Sequence, residues 1–84
     1  MSSPQLDYND LRKRVSNSVR IFLQGEAREV PDGQTVLGLL ASLGLDPGRV
    51  AVELDGLILK KPDWPLRSLQ PGARLEVVHF VGGG

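Results

Sequence analysis

No cysteine occurs among the 84 residues. A disulfide framework, a thiolate nucleophile, a cysteine persulfide, an iron–sulfur cluster and a cysteine–zinc site are all excluded by that one absence. Histidine is nearly missing too, with one copy, so a transition-metal site is not expected. Net charge is likewise absent, because ten basic residues balance ten acidic ones. A neutral chain has no overall attraction for nucleic acid or for an anionic membrane. No apolar run approaches the roughly 18 to 20 residues that cross a bilayer, and the N-terminus lacks the apolar stretch of a secretory signal. A cytoplasmic protein without resident cofactor, metal, nucleic acid or membrane is expected. At 84 residues one small domain is expected. What the chain has in excess is glycine: ten copies against about six at the usual 7%, three of them Gly82, Gly83 and Gly84.

Residues 1–17 differ from the rest. A polar opening leads to the basic run Arg12, Lys13, Arg14. Tyr8, Leu11 and Val15 share a helical stripe, but isolated helices this short are marginal in water. The segment reads as an extension, either disordered or a short helix. From residue 18 the pattern becomes regular. Val19, Ile21 and Leu23 alternate with Arg20, Phe22 and Gln24 as in a half-buried strand. A turn is expected at Gly25-Glu26, a returning strand over residues 27–30, and a second turn at Pro31-Asp32-Gly33. Thr35 reads as an N-cap. The stripe Val36, Leu39, Leu40, Leu43 marks one buried helix face, and Gly44 suits the helix end. Val50, Val52 and Leu54 resume alternation, and Asp55-Gly56 joins Leu54 to Leu57 as a two-residue hairpin turn.

Two prolines, Pro62 and Pro65, forbid a long regular element beyond Leu59. Leu66 and Leu69 are expected to point inward from an irregular crossing. After a turn at Pro71-Gly72, residues 75–81 form the last strand. Its alternation sets Leu75 and Val77 on the core side, with Val78 and Phe80 on an exposed apolar patch suited to a partner. Trp64 reads as a packing anchor and His79 as a surface residue. Gly38, inside the helix, is assigned to a close approach between helix and sheet. The order ββαββ followed by a late strand predicts an α+β fold. A β-grasp is the compact version: a mixed sheet of four or five strands with one main helix packed across it. The domain then spans residues 18–81, and residues 82–84 form a glycine tail.

Three stretches resemble the ThiS family of sulfur carriers, whose fold is a ubiquitin-like β-grasp. They are Gly33-Gln34-Thr35-Val36 opening a leucine-rich helix that ends Leu43-Gly44-Leu45, Asp55-Gly56 in a hairpin, and the terminus His79-Phe80-Val81-Gly82-Gly83-Gly84. Trp64 is similar to an aromatic that follows a Pro-Arg pair in many members. Asp55 replaces the commoner asparagine, and Lys61 stands where the family often has arginine. The resemblance implies a protein that catalyses nothing itself. It implies that the Gly84 carboxylate is adenylated by an E1-like (ThiF-like) adenylyltransferase using ATP and magnesium, then becomes a thiocarboxylate. That group supplies sulfur to thiazole synthase (ThiG-like) in thiamine biosynthesis. Gly82 and Gly83 then serve as the narrow tail. Val78, Phe80, Val81 and Lys61 are the candidate partner contacts, and the free protein is expected to be a monomer.

The residues supply reasons for these requirements. An α-carboxyl with a pKa of about 3.3 to 3.7 is an anion at neutral pH and can attack phosphorus. Glycines without Cβ let a backbone enter a narrow channel. A carried sulfur without cysteine must sit elsewhere, and the Gly84 carboxylate is the best group available. Other readings stay open: a MoaD-like small subunit of molybdopterin synthase, a TGS-type binding module, and a modifier conjugated to lysines. Trp64 and the short loops favour ThiS over the first. Near-zero charge and the glycine end speak against the second.

Overall fold

A computed structural model describes residues 17–80. The extension apart from Asn17, and Val81 with the tail glycines Gly82, Gly83 and Gly84, lie outside the described residues. Strand β1 (Ser18–Leu23) turns into β2 (Glu26–Pro31), followed by helix α1 (Val36–Ser42) and a 3-10 turn (Pro47–Arg49). Strands β3 (Val50–Leu54) and β4 (Leu57–Leu59) form the second hairpin. A second 3-10 turn (Lys61–Asp63) leads through an irregular crossing to β5 (Arg74–His79). The five strands lie in the order β2-β1-β5-β3-β4. All neighbouring strands run antiparallel except β1 and β5, which are parallel. The sheet is therefore mixed, as expected, with the chain's last strand at its centre.

Both hairpins rest on two-residue turns that demand positive φ. Asp55 (53°) and Gly56 (86°) meet that demand as a type I′ turn does. The first hairpin differs from the sequence expectation by one residue. Its turn is Gln24-Gly25, with φ of 53° and 82°, rather than Gly25-Glu26. That placement pairs Leu23 with Glu26 and Val19 with Val30, and Val19 and Leu23 pack against the core on the helix side of the sheet. On the opposite side Arg20 Nε donates to Glu29 Oε2 at 3.1 Å and Ser18 Oγ to Glu29 Oε1 at 2.9 Å. The Ser18 hydroxyl, and then Arg20, hold the Glu29 carboxyl below the usual carboxylate range.

Helix α1 begins where its free amides find partners. Gly38 N donates to Thr35 Oγ1 at 3.0 Å and Leu39 N to Thr35 O at 2.9 Å. Val36 N and Leu37 N donate to Arg67 O and Trp64 O, at 3.0 and 3.1 Å. Three of the amides that a helix start leaves orphaned, those of Val36, Leu37 and Gly38, are thus satisfied, two of them by the crossing segment. Thr35→Ala is expected to lower stability by about 1 kcal/mol, as N-cap removals do, and a denaturant midpoint measures it. Gly38 corrects an expectation. A Cβ there would meet Thr35 Oγ1 at 3.2 Å and the Gln34 side chain at 3.6 and 3.7 Å. The glycine therefore leaves room for the capping hydroxyl, not for the sheet.

The core lies between α1 and one sheet face. Val36, Leu39 and Leu40 of the helix meet Ile21, Val30, Val50, Val52, Leu54, Leu59, Leu75 and Val77 of the sheet, all buried. Leu69 joins them from the crossing segment. Leu66 does not: at 77% exposure it points to solvent. Trp64, two residues earlier, fills the interior at that point with 2% exposure, and the short turn through Pro65 carries Leu66 back outward.

Candidate functional site

Strand β5 delivers the chain towards its glycines, so its outward face is the first candidate surface. Leu75 and Val77 are buried on the helix side, while Glu76 and Val78 point away. Val78 is 56% exposed and Phe80 60%. Phe80 is held in place at its backbone, because its N–H donates to Arg49 O at 2.9 Å. The strand thus continues as an ordered rail past its last core side chain. Val81 and Gly82 to Gly84 follow outside the described residues, so the structure carries the site only to the base of the tail.

The sheet register adds residues that strand-by-strand reading misses. Val78 lies opposite Ala51, Glu76 opposite Glu53, and Glu53 opposite Ile58. Ile58 is 75% exposed, and the strand pairing puts its side chain on the same outward face. The helix-free face therefore presents Phe80, Val78, Ala51 and Ile58 around two directly opposed carboxylates. Like charges so placed disfavour the isolated sheet. The alternation in β3 signals that Ala51 and Glu53 face outward, but only the non-local β3–β5 pairing sets them beside Val78 and Glu76.

Lys61 is not part of this patch. It sits in the 3-10 turn beyond edge strand β4, so β3 and β4 intervene between it and β5. Its Nζ lies 6.0 Å from the centroid of the Trp64 ring. Trp64 itself donates from Nε1 to Leu59 O at 2.9 Å, which fixes it as an anchor. His79 is exposed. Among the described residues no three His, Cys, Asp or Glu side chains gather as metal ligands. No helix there is long and apolar enough to cross a membrane.

A mixed five-stranded sheet with one helix across it, ending in a central strand that leads to a glycine tail, defines a ubiquitin-like β-grasp protein. The ThiS family model matches residues 14–84, and the chain belongs to that family. The crystal structure of the thiamine biosynthesis protein ThiS from Geobacter metallireducens superposes with a TM-score of 0.67 at 26% identity, covering 79% of this chain and all of that one. The solution structure of a thiamine biosynthesis protein from the same organism gives 0.62 at 26% identity, over 79% and 88%. Two curated relatives are thiazole synthases. That of Magnetococcus marinus is 39% identical over 66 residues, and that of Paramagnetospirillum magneticum 36% over 66. The aligned part is 79% of this chain but only 20% of either relative, so the chain spans about a fifth of their length.

Proposed function

We propose that this protein is the sulfur carrier for thiazole formation in thiamine biosynthesis, with the Gly84 α-carboxylate as the group that carries the sulfur. The observation that carries this reading is the conjunction of a ThiS-family β-grasp with a central strand running into three glycines in a chain without cysteine. The protein acts as a cosubstrate and does no catalysis. A carboxylate oxygen of Gly84 attacks the α-phosphorus of ATP on an E1-like adenylyltransferase, and the bond to pyrophosphate breaks. Magnesium held with the nucleotide on that enzyme neutralises phosphate charge. The acyl adenylate now has AMP as a good leaving group, so a sulfur nucleophile at the sulfide level (hydrosulfide) can attack the carbonyl and expel it. The resulting thiocarboxylate passes to a thiazole synthase. The names of the two curated relatives support that recipient, as does the ThiS likeness.

In this reading Val78 and Phe80 are the docking anchors, with Val81 continuing them and Gly82 and Gly83 threading the channel. The free carrier is a cytoplasmic monomer. Lys61 serves a more distant contact, if any part of the partner reaches past β4. Intact-mass measurement after incubation with the adenylyltransferase, ATP and a sulfur donor is expected to show one carboxylate oxygen exchanged for sulfur. An unchanged mass under conditions that convert an authentic carrier would reject the proposal. Phe80→Ala is expected to weaken binding of the adenylyltransferase by about 1 to 2 kcal/mol, with the unfolding midpoint unchanged. A lowered midpoint with intact binding would make Phe80 a packing residue instead.

A further inference from the structure

The bonding pattern of β5 leaves one backbone position open just before the tail. Asp55 N donates to Arg74 O, and Phe80 N donates to Arg49 O. By antiparallel alternation the even-numbered residues of β5 therefore bond to β3, and the odd-numbered ones face β1. On that side Phe22 N donates to Ala73 O and Gln24 N to Leu75 O, at 2.8 and 2.9 Å. Val77 comes next, and the Gln24 side chain takes it: Nε2 donates to Val77 O at 2.9 Å and Oε1 accepts from Val77 N at 2.8 Å. The Gln24 amide thus stands in for one further residue of β1. Beyond it the chain has already turned through Gly25 into β2, so His79, the next odd residue, faces no strand. Among the described residues no hydrogen bond reaches its N–H or carbonyl on that side.

The outer edges of the sheet are guarded in the usual ways. β2 presents Glu26, Arg28 and Glu29 and ends in Pro31, while β4 is three residues long and is followed by Lys60, Lys61 and Pro62. His79 has no such guard, and it is flanked by the exposed Val78 and Phe80. We propose that the notch above Gln24 is a strand-addition site, in which an extended segment of the adenylating enzyme exchanges backbone hydrogen bonds with His79. This deepens the carrier reading and rests on it. An extended backbone continues the donor and acceptor pair that the Gln24 amide gives Val77 at strand spacing, and that defines the occupant. The segment belongs to the adenylating enzyme, because that enzyme must hold an unmodified carboxylate in a near-attack position. Directional bonds at His79 would set the register of the residues that follow. Gln24 is then a positioning residue: it ends internal pairing at Val77 and leaves His79 to the partner.

Amide exchange of the wild-type protein tests this directly. The His79 amide is expected to exchange freely in the carrier alone and to become protected on adding the adenylating enzyme with ATP. His79→Pro removes an N–H that the fold does not use, so the unfolding midpoint should hold while association weakens at least about tenfold, the equivalent of one lost charge-free backbone pair. His79→Ala should bind like wild type, because the contact is made by the backbone. Val78→Pro is the contrast, since its N–H belongs to the β3 ladder and its loss should destabilise the fold. An unprotected His79 amide in a complex that adenylates Gly84 overturns the strand addition alone. Failure of the wild-type protein to be adenylated at all overturns the carrier reading. Should His79→Pro fail to fold, the N–H is used internally, and the proposal falls on that result as well.

Discussion

Deleting Gly84 is expected to abolish thiocarboxylate formation and leave the fold untouched. The new terminus would be Gly83, whose carboxylate has the same ordinary acidity and the same nucleophilic oxygens. Only the reach changes, by one residue of about 3.3 to 3.6 Å. The buried core ends at Val77, and the last described backbone bond is made by Phe80, so neither depends on residue 84. A misplacement of about 1 Å can cost 100-fold in rate, and the deletion displaces the reacting group several times further. The expected result is at least that loss by intact mass, with an unchanged unfolding midpoint. A shortened chain converted at the full-length rate would sink the assignment of Gly84. Gly84→Ala separates width from length: it restores the reach but adds a Cβ to the channel, and it should also fail.

Much of the fold is legible in the sequence, because the signals are local. The Thr35 cap, the Asp55-Gly56 turn and the alternation of Leu75 and Val77 with Val78 and Phe80 each depend on a few adjacent residues, and the structure bears them out. What escapes a sequence reading is non-local or decided by competition. The first hairpin turns one residue early, at Gln24-Gly25, because Gln24 takes the positive φ of 53° that the first turn position needs, which a turn-residue rule does not expect of glutamine. Hydrophobicity alone points Leu66 inward, but Trp64 already occupies that volume. Gly38 answers to a capping hydroxyl three residues back in the chain. The notch at His79 leaves no trace in the sequence, since it exists only where parallel pairing of β1 with β5 stops. The glycine tail lies at the other extreme: composition and family likeness point to it, and the mass measurement tests its role.

Trp64→Ala should have the largest effect on stability and so provides the counterpart to the Gly84 deletion. Removing a buried tryptophan costs about 3 to 5 kcal/mol, and the Leu59 carbonyl loses the indole N–H donor. At roughly 0.05 to 0.15 kcal/mol per residue a domain of this size has only about 3 to 10 kcal/mol in total. The damage should also spread, because the crossing segment that Trp64 anchors supplies the acceptors for Val36 N and Leu37 N. Loosening it exposes the first turn of α1, whose Val36, Leu39 and Leu40 lie in the core. At about 4 to 8 °C per kcal/mol for a domain this small, the unfolding midpoint is expected to fall by at least about 12 °C. Trp64→Phe retains most of the buried ring but no donor, so it should fall between the alanine variant and the wild type. A shift of only a few degrees for the alanine variant would mean that the crossing segment is held by something other than Trp64. Carrier activity should be lost in parallel with the fold here, whereas deletion of Gly84 removes it from a folded protein. Measured side by side, the two variants separate the scaffold that presents the tail from the group proposed to carry the sulfur.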